Sequence, residues 1–135
     1  MQNFIYALIQ VLHNFGAVTV VGTAASALWL VRSNAAVQHL LAVLAVVAWV
    51  IQAVTGVLFG VSTFYFENHL PDIHGIAVSA LLIKIACASS GFVVSFVYVK
   101  RDSVWTATKR LFAWRASMIL GMIALSSAAF LRWFS

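Results

Sequence analysis

Three polar groups stand inside apolar stretches: the imidazole of His13, in Leu12-His13-Asn14-Phe15-Gly16-Ala17, the carboxamide of Gln52, and the amine of Lys84. An imidazole binds and releases protons near neutral pH and ligates metals. An amine carries a charge or, without its proton, acts as a base, and a carboxamide both donates and accepts. Such groups are expensive in hydrocarbon and mark functional positions there, or else belong to tight packing around a hydrogen-bonded histidine. Lys84 is the costliest, at least ~2.5–3.5 kcal/mol for an ammonium near the membrane centre. It needs a partner anion or loss of its proton. No Asp or Glu lies at its depth in this sequence, so its partner must be water, carbonyls, another subunit or a bound acidic ligand.

The elements that hold these groups follow from composition. Hydrophobic residues make up 64% of the 135 and charged ones 8%, with mean hydropathy +1.03. Soluble domains carry about 25% charged residues, so this chain cannot build a water-facing surface. Four apolar runs, Phe4–Val31, Val37–Phe66, Ile73–Val99 and Leu111–Phe134, each exceed the ~20 residues that cross a bilayer. Backbone groups in lipid must be satisfied within the segment, so the runs are helices, expected at about 4–31, 37–66, 72–99 and 110–134 of one domain. The first run is too long for a signal peptide and lacks a basic start, so it is expected to be retained. Short connections make sequential helices antiparallel. The expected fold is all-α, an integral membrane up-down-up-down four-helix bundle. Pro71 fits the first position of the third helix, with Asp72 at the positive end of its dipole.

Charge orients the bundle. Arg32, Lys100, Arg101, Lys109, Arg110 and Arg115 gather on one face, and Glu67, His69, Asp72 and Arg132 on the other. The net charge of +5 therefore reads as the positive-inside bias and not as a nucleic-acid surface, which puts both termini on the non-cytoplasmic side. Tyr6, Tyr65 and Trp133 fit the outer interface, and Trp29, Tyr98, Trp105 and Trp114 the inner one. Gly56-x-x-x-Gly60 and Ser117-x-x-x-Gly121 fit helix–helix contacts. The lone Cys87 permits no internal disulfide.

Counting ~1.5 Å per residue from the outer ends brings His13, Gln52 and Lys84 to the middle of the core, with Gly121 passing beside them. Helical spacing places Ala77, Ala80, Lys84, Cys87 and Gly91 on one stripe, and His13, Gly16, Ala17, Val20 and Ala24 on another. Each is a small-residue face carrying one ionisable group. A polar layer from three helices is the natural reading. His39 reads as interfacial. His69 and His74, in Glu67-Asn68-His69-Leu70-Pro71-Asp72-Ile73-His74, bring two imidazoles and two carboxylates together, a set that suits copper or zinc. His13 and His74 could also ligate haem b, with depths differing by roughly 7–10 Å. His13 alone could do so, with His74 or His69 near a propionate. Gly16 and Gly75 would admit a flat macrocycle to the backbone.

The order Leu12-His13-x-x-Gly16-Ala17 with Gly22, then Gln52-x-x-Thr55-Gly56, then Lys84 resembles the CopD-like and HemJ-like membrane proteins over most of the four helices. HemJ-like members are haem-associated protoporphyrinogen oxidases that need a first-helix histidine and a later lysine, so the resemblance implies roles for His13 and Lys84. The Asn-Glu-x-Pro-like segment of HemJ is missing from Arg110–Met122, a departure at the point where porphyrinogen oxidation would be specified. CopD-like members are linked to copper uptake, in longer chains. The expectation is a haem b-binding redox protein of the bacterial inner membrane, acting on a quinone or porphyrin. His13, His74, Gly16 and Lys84 would hold the cofactor, Lys84 and Gln52 would serve catalysis, and His13, His74 and His69 are the metal ligands. The alternatives are copper handling through Glu67, His69, Asp72 and His74, or a non-catalytic subunit. Expected partners are the bilayer, a membrane or periplasmic redox protein, and further copies or a larger complex.

Overall fold

In the computed structural model, residues 1–69, 71 and 73–134 are described. Four long helices fill it: α1 (Gln2–Ala25), α2 (Ala35–Glu67), α3 (Ile76–Arg101) and α4 (Ala107–Phe134). The π-helical segment Ser26–Leu30 continues α1, and the short 3₁₀ turn Asp102–Val104 continues α3. The four spans of 28 to 33 residues are each long and apolar enough to cross a membrane. At ~1.5 Å per residue they exceed a ~30 Å hydrocarbon core, so their ends overhang it.

Local chemistry sets the ends. Asn34 caps α2 by accepting the Val37 N–H at 3.1 Å. Asn68, at φ 57°, closes it with its N–H on the Phe64 carbonyl. Gly75 at φ 51° turns the chain into α3. That helix starts at Ile76, five residues after Pro71, which the sequence reading placed at its first position, so Pro71 lies outside it. The positive φ at Gly75 breaks the helical path that Pro71 would have opened. Asp72 falls outside the described residues.

The helices pack as a square, α1 against α2 and α4, and α3 against α2 and α4. The diagonals α1–α3 and α2–α4 scarcely meet. Small residues line the inside: Ala24, Ala42, Ala45, Ala48 and Ala77 are buried, so the axes can approach. Gly91 gives its Cβ space to the Trp49 ring, and Gly121 passes against Val20 and Val21. Ser117 is buried as expected, but nothing lies within 4 Å of a Cβ at Gly56 or Gly60. That second pair faces outward and makes no contact within the bundle. Tyr98 and Trp114, expected at the interface, are 2% and 3% exposed. They form the core of the end carrying Arg32 and Lys100, while Trp29, Tyr65 and Trp133 face outward.

Candidate functional site

His13 is buried midway along α1, and each of its ring nitrogens has a partner on a different helix. Thr55 Oγ1, on α2, lies 2.7 Å from Nδ1. The Thr55 hydroxyl gives its own hydrogen to the Ile51 carbonyl one turn back, so towards His13 it accepts. The network therefore assigns the proton to Nδ1 and leaves the Nε2 lone pair as an acceptor. Lys84 Nζ, on α3, donates to Nε2 at 2.9 Å. Gln52 Nε2 donates to the His13 carbonyl, a second tie between α2 and the same residue. The edge of Phe59, one turn beyond Thr55, closes the ring in at 5.9 Å between centroids.

Helix geometry puts these groups at one depth. By helical rise His13 lies about 16 Å from the start of α1, Thr55 about 18 Å from the end of α2 and Lys84 about 12 Å from the start of α3. All three ends belong to the same face of the bundle. The Lys84–His13 bond runs along the α1–α3 diagonal, through the centre. The predicted inward stripe holds, with Ala77, Ala80, Cys87 and Gly91 buried above and below Lys84.

No carboxylate answers Lys84 among the described residues. Asp102, at the opposite end, pairs with His39 at 2.8 Å, and Glu67 lies 3.6 Å from His69 beyond the end of α2. The site therefore joins an imidazole and an amine through one shared hydrogen, and a protonated Lys84 carries two more hydrogens for a guest. Such a pair can bind a proton, release one, or offer a positive charge to an acidic oxygen.

The structure brings His13, Gln52 and Lys84 together and leaves His74 and His69 apart from them. His74 precedes α3 and is exposed, ten residues or about 15 Å of helical rise from Lys84. His69 is exposed beside Glu67. Among the described residues no three His, Cys, Asp or Glu side chains converge on a metal position. Asp72, the fourth member of the expected outer cluster, is not among them.

Haem can be tested against the residues present. The imidazole is held as a metal-ligating one is, its Nδ1–H engaged and its Nε2 turned to the bundle centre, and Lys84 suits a propionate. The room beside Gly16 is absent: a Cβ there would meet Gln52 Nε2 at 2.6 Å and Ile51 at 3.1 Å. Gly16 serves α1–α2 contact and offers no bare backbone to a macrocycle. A ligand of His13 would have to come from the Lys84 side, displacing the amine from Nε2.

Thr55 and Phe59 complete the site, and sequence reasoning gave neither a role. Their spacing from Gln52, three and seven residues, is the signal that marks them as sharing its face. A second polar centre was also missed. The two hydrogens of Gln38 Nε2 are shared among the carbonyls of Ala27, Val31 and Arg32 at 3.1–3.3 Å, at the end of α1 where the π-helical turn loosens the ladder. Tyr98 donates to Gln38 Oε1 at 2.9 Å, locking the carboxamide.

Compared with protein-family models, with curated proteins and with solved structures, the chain matches none.

Proposed function

We propose that this chain is a redox protein of the bacterial cytoplasmic membrane, working through the His13–Lys84 pair on an apolar molecule that carries acidic or carbonyl oxygens. Haem b, a porphyrin or a quinone fits that description. The observation carrying the reading is the 2.9 Å contact between Lys84 Nζ and His13 Nε2 in the bundle centre, without a carboxylate among the described residues to neutralise it. A guest oxygen gains a charge partner and a proton source there at once. In a low-dielectric interior both interactions strengthen. Thr55 fixes the imidazole and Gln52 the backbone that carries it, so that only the Lys84 side chain need move. With haem b, His13 would be the iron ligand and Lys84 the propionate partner, and the iron would supply one-electron transfer. The CopD-like and HemJ-like resemblance is part of the same proposal.

The experiment is a reduced-minus-oxidised absorbance spectrum of protein purified in detergent from haem-replete cells. A Soret band abolished in His13→Ala and shifted in Lys84→Gln supports the haem form. With no band, thermal stabilisation by a quinone or porphyrin that needs Lys84 supports the other form. If the intact protein shows no Soret band and no stabilisation by a quinone or porphyrin, the redox reading is rejected. The proposal also takes both termini to the non-cytoplasmic side, since Arg32, Lys100, Arg101, Lys109 and Arg110 share one end. Labelling Ser103→Cys only after the membrane is permeabilised agrees with that orientation.

A second reading, as a subunit that assembles with further copies, has its own observation. Gly56 and Gly60 lie open on the outer face of α2, beside a hollow of about 430 Å³ lined by Val57, Gly60, Val61 and Phe64. Such a surface lets a second helix approach closely. Cross-linked dimers that vanish in Gly60→Leu support it.

A further inference from the structure

The end of α3 carries a shallow, largely open hollow, away from the His13 layer. It measures about 270 Å³ and is lined by Phe96, Val97, Lys100, Arg101 and Trp105. Its members divide by chemistry along the axis. Phe96 and Val97 form an apolar floor one turn inside the helix end, both exposed outward. Lys100 and Arg101 stand beyond them in the last turn of α3. Trp105, just past the 3₁₀ turn, makes the wall, held by edge contact with buried Tyr98 at 5.9 Å between centroids. The Lys100 ammonium lies over the Phe96 ring at 5.6 Å, which ties the charged rim to the apolar floor.

Among the described residues no carboxylate pairs with the two cations. Asp102 is their neighbour in sequence, but its carboxylate is taken by His39 at 2.8 Å. Among the described residues Lys100 and Arg101 enter no ion pair. The hollow is largely open on its outer side, where a phosphate and the first carbons attached to it can enter. Arg supplies a planar fork for phosphate oxygens and Lys a compact charge, and the acyl carbons would continue over Phe96 and Val97.

We propose that this hollow is a binding site for one anionic phospholipid, its phosphate held by Lys100 and Arg101 and its upper acyl chain lying against Phe96, Val97 and Trp105. The site differs from a general basic surface in having a floor, a wall and two cations on one rim. Lys109 and Arg110, at the start of α4, add charge to the same end of the protein without lining the hollow. They provide the control.

The experiment is native mass spectrometry of the intact chain released from micelles containing equal phosphatidylglycerol and phosphatidylcholine. Size-exclusion elution of each variant verifies that it is folded. The wild-type chain should retain one phosphatidylglycerol in preference to phosphatidylcholine. Two cations at a membrane surface contribute enough that K100Q/R101Q should lower that preference on the order of tenfold or more. K109Q/R110Q should leave it within about twofold, since those side chains are not part of the hollow. Equal retention of the two lipids overturns the proposal. So does an equal loss in both double variants, which would make the effect one of diffuse charge. Displacement of the lipid by millimolar inorganic phosphate also overturns it, because a free phosphate has no use for the apolar floor.

Discussion

Lys84 donates to His13 Nε2 at 2.9 Å along the α1–α3 diagonal, although these two helices scarcely touch through their backbones. The bond is possible because both stripes are lined with small residues and because α2 reaches in twice, Thr55 to the imidazole and Gln52 to the His13 carbonyl. Lysine's long stem spans the remaining gap. The polar layer thus joins three helices at one point, and the fourth helix approaches α1 with Gly121 about two turns further along, at Val20 and Val21.

Thr55 should control which nitrogen of His13 carries the proton. Thr55→Val removes the acceptor at Nδ1 and leaves a buried donor unmatched, at a cost of about 1–3 kcal/mol. ¹⁵N NMR of the wild-type imidazole should show the Nδ1–H form. In Thr55→Val the spectrum should move towards the Nε2–H form, and Thr55→Ser should restore it. An unchanged tautomer in Thr55→Val contradicts the assignment.

The glycines should divide by position. Gly16→Ala drives a methyl into Gln52 and Ile51, and Gly91→Ala drives one into the Trp49 ring. Each should cost about 1–3 kcal/mol through overpacking, read as a lower midpoint of thermal unfolding in detergent. Gly91→Ala should be the worse, because an indole packed in the core gives way less easily than a carboxamide. Gly56→Ala and Gly60→Ala meet nothing within 4 Å and should stay within about 0.5 kcal/mol of wild type.

Gln38 should matter more than its type suggests. Gln38→Leu strands the acceptors of Ala27, Val31 and Arg32 and the Tyr98 hydroxyl in one step. A loss of about 1–3 kcal/mol is expected from a buried group left unpaired. Hydrogen exchange should rise first in Ser26–Leu30 and the adjoining end of α1. Protection there equal to wild type contradicts the capping role.

The His39–Asp102 contact should matter little. The imidazole side chain is 46% exposed and the pair lies at the edge of the bundle, where water and salt screen it. His39→Ala should change stability by no more than about 1 kcal/mol and leave the His13 tautomer untouched.

The sequence by itself determined the membrane class, the four helices and their antiparallel order, because hydrocarbon admits only a backbone that satisfies itself. It also determined that His13, Gln52 and Lys84 share a depth, since axial rise per residue is fixed. Tertiary structure decided the rest. Rise gives height and not azimuth between helices, so only packing showed that Lys84 meets His13 Nε2, that Thr55 takes Nδ1, and that Gly16 is filled by Gln52. The same limit explains Gly56-x-x-x-Gly60, whose spacing marks a contact face without saying whether the bundle or its surroundings supply the contact. Tyr98 and Trp114 read as interfacial by type and lie in the core, because Gln38 gives Tyr98 a buried partner that no count along the chain could pair with it. His74 shared a chemistry with His13 but not a place, since Gly75 starts α3 after it and leaves it outside the helix.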